Sequence, residues 1–353
     1  MRQRDVQRRM FYTPKDGLML GLLGVLTPVI AMLILGVVMV FIALAGGAGF
    51  ENLFDSTVFK YITQVIAECA FVLVLYVYNK IAKVDFVSAS QFKTAPKYLN
   101  WAVAIIIGIA MPIFFSPLIS MWERLLDLIG IQLPTLADRG IPLSTGWDLT
   151  VAILILGVLP AFCEELMFRG GILNGLRDRG VWFAVLYSAM CFSLMHESLQ
   201  QLPYTFILGL VIGYIVYYTR CIWLGILIHF CNNATVLVSG FISNDVSESG
   251  FNALTGADIV YAILMTAVAV TLVVGAMIFT KKYNQPHGKI DSKDVTSLSK
   301  TTFENSQDGV ISKPMRATPP PTSTPVTKDS LSTAMVIATP IIGVVMILLN
   351  IFV

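Results

Sequence analysis

The sequence predicts an all-α, polytopic membrane protein: a helix bundle with eight core transmembrane helices and a ninth apolar helix at the C-terminal tail. Composition is the first observation behind this reading. Of 353 residues, 56% are apolar and only 13% charged, and the mean hydropathy is +0.75, a balance that a water-soluble domain does not have. The second is the recurrence of apolar runs long enough to cross about 30 Å of hydrocarbon. They fall near 17–47, 61–82, 101–122, 149–168, 181–199, 203–219, 222–240, 259–280 and 334–353. The third is an alternation of basic and non-basic loops between those runs, which orients the chain in a bilayer.

The first run follows a basic arm, residues 1–16, with Arg2, Arg4, Arg8, Arg9 and Lys15. It is about twice the length of a signal-peptide core, so it reads as the first membrane helix. The core is expected over 17–282. Pro28, Pro112, Pro160, Gly209 and Gly213 interrupt its runs, which lipid tolerates where neighbouring helices satisfy the backbone. Lys80, Lys83, Lys93 and Lys97, then Arg177 and Arg179, Arg220, and Lys281 with Lys282 mark one side of the membrane. The other side carries Glu51 and Asp55, a mixed loop from Glu123 to Asp148, then Asp245, Glu248 and Asp258. The N-terminus is therefore expected in the cytoplasm, in a multi-pass protein of a bacterial plasma membrane.

Residues 283–333 change to Ser, Thr, Pro, Lys and Asp, with the run Thr318 to Pro325. Such a segment cannot bury enough apolar surface to fold, and a flexible cytoplasmic linker is expected. The final run, 334–353, is either an accessory anchor or a tethered helix that binds a membrane partner. The five cysteines lie in or beside apolar runs without CxxC spacing and read as small packing residues. No basic run of the kind that tracks a phosphate backbone exists, so a nucleic-acid partner is excluded.

Chemistry concentrates in the middle third. Glu164, Glu165 and Arg169 follow directly on an apolar run, where insertion of each charge costs roughly 2.5–3.5 kcal/mol. Residues four apart share a helix face, so Glu165 can pair with Arg169 while Glu164 points about 100° away. Taken alone, the cluster could also be a helix-end ion pair with Arg169 snorkelling to the interface. Two of the three histidines, His196 and His229, sit in later apolar runs; His287 lies in the linker. His229 and Asn233 are again four apart and project together. Glu68 is one more acid within a membrane run, read as a packing carboxylate.

Glu-Glu-x-x-x-Arg (164–169), Phe-x-x-x-His (192–196) and His-x-x-x-Asn (229–233), in that order on successive helices, resemble the CPBP family of intramembrane proteases. That family includes the CAAX prenyl endopeptidases and bacterial proteins linked to bacteriocin maturation or self-immunity. The likeness extends through Glu164 to Leu173 and Phe206 to Tyr214 and covers roughly 149–240. It implies an intramembrane endopeptidase acting from the cytoplasmic side on a membrane-associated peptide or protein tail, by CAAX-type processing or peptide maturation. It further implies Glu164 as general base with Glu165 and Arg169 beside it, His196 holding the water, and His229 with Asn233 stabilising the oxyanion. No cofactor is required on this reading. A zinc site built from His196, His229 and Glu165 is the open alternative, although Gln200 stands where a His-Glu-x-x-His helix needs its second histidine. A non-catalytic scaffold or self-immunity protein is the competing class. A small-solute or proton transporter is a weaker one, since no inverted repeat is visible.

One geometric demand follows. Helices rising about 1.5 Å per residue put His196 far from the start of its own helix and Glu164 close to the end of its own. Tilt, a kink at Pro160 or an extramembrane turn after Gly170 must bring the two level.

Overall fold

A computed structural model describes residues 9–46, 56–92, 94–131, 142–243, 255–285 and 330–352. Arg2 to Arg8, His287 and nearly all of the expected linker lie outside the described residues. The fold is an all-α polytopic bundle. Its helices are α1 (Pro14–Gly46), α2 (Thr57–Ala82), the short α3 (Phe86–Ala89), α4 (Tyr98–Leu128) and α5 (Gly146–Leu173). There follow α6 (Val181–Leu194), α7 (Leu202–Thr219), α8 (Ile222–Ile242), α9 (Gly256–Asn284) and α10 (Ser330–Phe352).

Among the described residues, eight of these are long and apolar enough to cross a membrane. The fifth apolar run of the sequence is the exception: α6 has 14 residues, about 21 Å of helix. Its end is chemical rather than hydrophobic. Ser193 Oγ donates to Leu202 O at 2.7 Å, folding the chain back into α7, and Glu197 takes a left-handed φ of 50°. That conformation costs a non-glycine residue about 1–2 kcal/mol, and burial also pushes the Glu197 carboxyl up from its ordinary range.

Other boundaries follow local rules. Thr145 with Asp148 and Thr255 with Asp258 form capping boxes that start α5 and α9. Lys83 and Arg220 close α2 and α7 in the left-handed conformation, returning their N–H groups to Asn79 and Val216. Tryptophan and tyrosine stand exposed at both ends of the bundle: Tyr98, Trp182 and Trp223 at one, Trp147 and Tyr261 at the other. This is the aromatic belt of a bilayer-embedded protein.

α5 and α7 are the central helices, with 56% of their most apolar window buried against 11% for α9. α6 pairs with α7 as a hairpin, α8 and α9 pack on α4, and α1 packs on α2, α5 and α10. Close approach is built in where side chains are absent: a Cβ on Gly175 would stand 2.7 Å from Gly17, so α1 crosses the end of α5 backbone to backbone. Arg177, in the turn after α5, donates to Asn174 Oδ1 and to the Val216 and Tyr217 carbonyls at the end of α7. Burial lowers it to about 10, with Arg220 adding repulsion. It therefore stays charged at neutral pH and locks the two central helices at their basic end.

Candidate active site

α5 is not uniform. Two π-helical stretches, Ile153–Val158 and Leu166–Leu173, flank the α-helical segment Leu159–Glu165 that carries both glutamates. Single π-turns inside α-helices recur at functional sites because they re-aim side chains out of the α register. Pro160 accounts for part of the irregularity. It has no N–H, so the Leu156 carbonyl one turn back cannot receive the usual α-helical bond. Asn233 Nδ2 donates to that oxygen at 3.1 Å.

This contact places Asn233 between α8 and α5. One of its two amide hydrogens is committed to the backbone, and its Oδ1 accepts from Asn232 Nδ2 at 3.0 Å. Asn232 is the more deeply buried of the two and accepts from the Tyr204 hydroxyl. Replacing Asn233 by Leu is expected to destabilise the protein by about 1 kcal/mol, the cost of a part-buried carbonyl left without its partner. Pro160→Ala supplies an N–H for Leu156, so the two changes should couple by about 1 kcal/mol in a double-mutant cycle of thermal unfolding. Strict additivity would remove this role.

Four predicted residues converge. Arg169 is fully buried and donates from NH1 to Glu165 Oε1 at 2.6 Å and from NH2 to Gly209 O at 3.1 Å. Its guanidinium lies 4.5 Å from the Phe192 ring centroid, a cation–π contact inside the bundle. His229 Nδ1 is 3.0 Å from the same Glu165 oxygen, and His229 Nε2 is 3.9 Å from Glu164 Oε2. A Cβ on Gly225 would meet Glu165 Oε2 at 2.9 Å, so this glycine is what lets α8 approach the ion pair.

The tautomers follow from these partners. Glu165, paired to Arg169, is an acceptor, so His229 donates through Nδ1–H. Nε2 then carries a lone pair in neutral His229 and an N–H only in the imidazolium. His196 Nδ1 lies 2.8 Å from Phe192 O, a carbonyl that can only accept, which leaves the lone pair on Nε2.

His196 joins the group from the end of α6. Its ring and that of His229 both pack edge-on against Phe192, with centroids 5.1 Å and 5.5 Å away. The short hairpin thus brings the two histidines to a common ring. The turn that holds His196 is tied to α4 by Trp122 Nε1, which donates to Leu199 O at 3.0 Å, and by a Gln200–Glu123 hydrogen bond. Sequence reasoning did not find these supports, nor Tyr204 and Asn232, because polar side chains near helix ends carry no distinguishing pattern.

The zinc set is not assembled. Glu165 Oε1 is taken by Arg169 and by His229 Nδ1, and among the described residues no group of three His, Cys, Asp or Glu side chains has metal-holding geometry. His196, His229 and Glu165 therefore do not fit a three-ligand centre here.

Residues 146–235 match the family model of the type II CAAX prenyl endopeptidase Rce1-like proteins. The match is consistent with the CPBP family that the motifs resemble, and it begins at the capping box of α5 and ends just after Asn233. No curated protein and no solved structure matches the chain. The Rce1-like segment contains every predicted site residue, and two of its helices, α5 and α7, are the most deeply buried of the membrane-spanning helices described.

Proposed function

We propose that this integral membrane protein is an endopeptidase that hydrolyses a peptide bond in a membrane-associated peptide or protein tail, of the CAAX or peptide-maturation type, with water activated at Glu164. The observation that carries this reading is the division of labour between adjacent carboxylates. Glu165 is consumed by Arg169 and His229, whereas Glu164 faces His229 Nε2 across 3.9 Å. A water to one side of that line is within reach of both groups.

Glu164 takes a proton as the water oxygen bonds to the scissile carbonyl carbon. The resulting oxyanion is stabilised by Nε2–H of the His229 imidazolium and by the second amide hydrogen of Asn233. Collapse breaks the C–N bond, and the proton passes from Glu164 to the departing amine. His196 accepts a hydrogen bond from the water through Nε2. Depth supports substrate entry from the basic end of the bundle, read as cytoplasmic: Glu165 stands about 12 Å from Leu173 and His229 about 10 Å from Ile222 at helical rise.

The test is cleavage of an internally quenched, prenylated CAAX peptide by membranes carrying the wild-type chain or Glu164→Ala, each with and without chelator. Wild-type cleavage that survives chelation and falls about 10²–10⁴-fold in Glu164→Ala is expected. Wild-type activity abolished by chelator would turn the mechanism to a metal. Equal cleavage by both chains would end the proposal.

A further inference from the structure

Tyr204 stands in the first turn of α7, with its ring packed edge-on against Phe115 of α4 at a centroid distance of 6.4 Å. Its hydroxyl donates to Asn232 Oδ1 on α8, Asn232 Nδ2 donates to Asn233 Oδ1 at 3.0 Å, and Asn233 Nδ2 donates to Leu156 O on α5 at 3.1 Å. This relay runs in one direction. The backbone carbonyl at its far end can only accept, and the phenol at its near end can donate. Two amides held between those ends have one orientation in which every contact contains a hydrogen. Turning both over would set Asn233 Oδ1 against Leu156 O, two acceptors face to face.

We infer that Tyr204 is a positioning residue: acting through Asn232, it keeps the NH2 group of Asn233, rather than its oxygen, turned towards Leu156 and the oxyanion. The inference rests on the reading of Asn233 as an oxyanion donor. Burial gives the relay its force. Asn232 is 3% exposed, so its Oδ1 must find a donor inside the protein. Without the phenol, Asn232 regains a partner for that oxygen only by rotating its amide, which withdraws Nδ2 from Asn233 and frees the Asn233 side chain to twist. Outer partners fix the groups they support in this way. Tyr204 also belongs to the hairpin that carries His196, closed by the bond from Ser193 Oγ to Leu202 O. One turn between α6 and α7 therefore supports both the water-holding side of the site and the oxyanion side.

Kinetic and melting cycles on the full chain in detergent test this. Tyr204→Phe deletes one oxygen atom, and kcat on the CAAX peptide should fall about 10–100-fold with KM unchanged. Asn233→Leu should lower kcat about 10²–10³-fold. Adding Tyr204→Phe to Asn233→Leu should then cost no more than about twofold, because the group that Tyr204 acts through is gone. In thermal melts without substrate, the midpoint losses of the two single variants should exceed the loss of the double variant less than additively combined, as members of one network do. The inference is overturned by full kcat in Tyr204→Phe, by an equal effect of Tyr204→Phe in both backgrounds, or by additive midpoint losses, the last whether or not the peptide is cleaved. The kcat and KM of Tyr204→Phe alone decide the matter where Asn233→Leu does not fold. Wild-type cleavage by Asn233→Leu removes the oxyanion reading, whereas a slow Asn233→Leu beside a fully active Tyr204→Phe removes only the role of Tyr204.

Discussion

Arg169→Ala is expected to lower stability by about 3–5 kcal/mol, because it strands the Glu165 carboxylate in a fully buried site. The guanidinium is the common centre of three contacts: Glu165 Oε1, the Gly209 carbonyl on α7 and the face of Phe192 on α6. No smaller group makes all three. Lysine has a single ammonium that cannot reach Glu165 and Gly209 while lying flat on a ring, so Arg169→Lys should lose most of the same stability. The informative control is the double replacement Glu165→Leu with Arg169→Leu, which removes both charges and leaves apolar volume. Buried pairs replaced in this way are often near neutral, so the double variant should unfold well above the single one in a detergent melt. A single variant within about 1 kcal/mol of wild type would show that the ion pair does not organise the core.

His229→Ala should behave oppositely, losing cleavage of the CAAX peptide by about 10²–10³-fold while keeping the fold. Its imidazole is oriented by the Nδ1 contact to Glu165 at 3.0 Å, and only Nε2 points at Glu164. Removing the ring leaves Glu165 still paired with Arg169, so the buried ion pair that joins α5 to α7 through Gly209 is kept. The loss falls on the transition state, where an Nε2–H would meet the oxyanion. Cleavage rate and thermal midpoint measured on the same preparation separate the cases. A melt that collapses together with activity would place His229 among the structural residues.

Much of this architecture was legible because lipid imposes simple rules. Apolar runs of sufficient length became helices, while the capping boxes at Thr145 and Thr255 start two of them a few residues ahead of the runs at 149 and 259. The pairing of Glu165 with Arg169 followed from i, i+4 spacing alone. α6 did not, because hydropathy measures where a helix is tolerated and not where a serine hydroxyl turns the chain back. Asn233 was read through its spacing from His229. Its bond to Leu156 depends on a proline on another helix, a relation that no local pattern encodes.

The shortness of α6 has a consequence for the surrounding lipid. A helix of about 21 Å leaves hydrophobic mismatch against a hydrocarbon layer of about 30 Å, which an isolated span would meet by tilting or by thinning the bilayer. Here the tail helix fills the deficit. Thr339 of α10 accepts a hydrogen bond from Tyr187, and Gly343 lies against Leu194. The two helices thus run in the same direction, and α10 continues to Phe352 beyond the point where α6 stops. Beyond that point α10 presents an apolar flank, with Val344, Val345, Leu348 and Leu349 exposed.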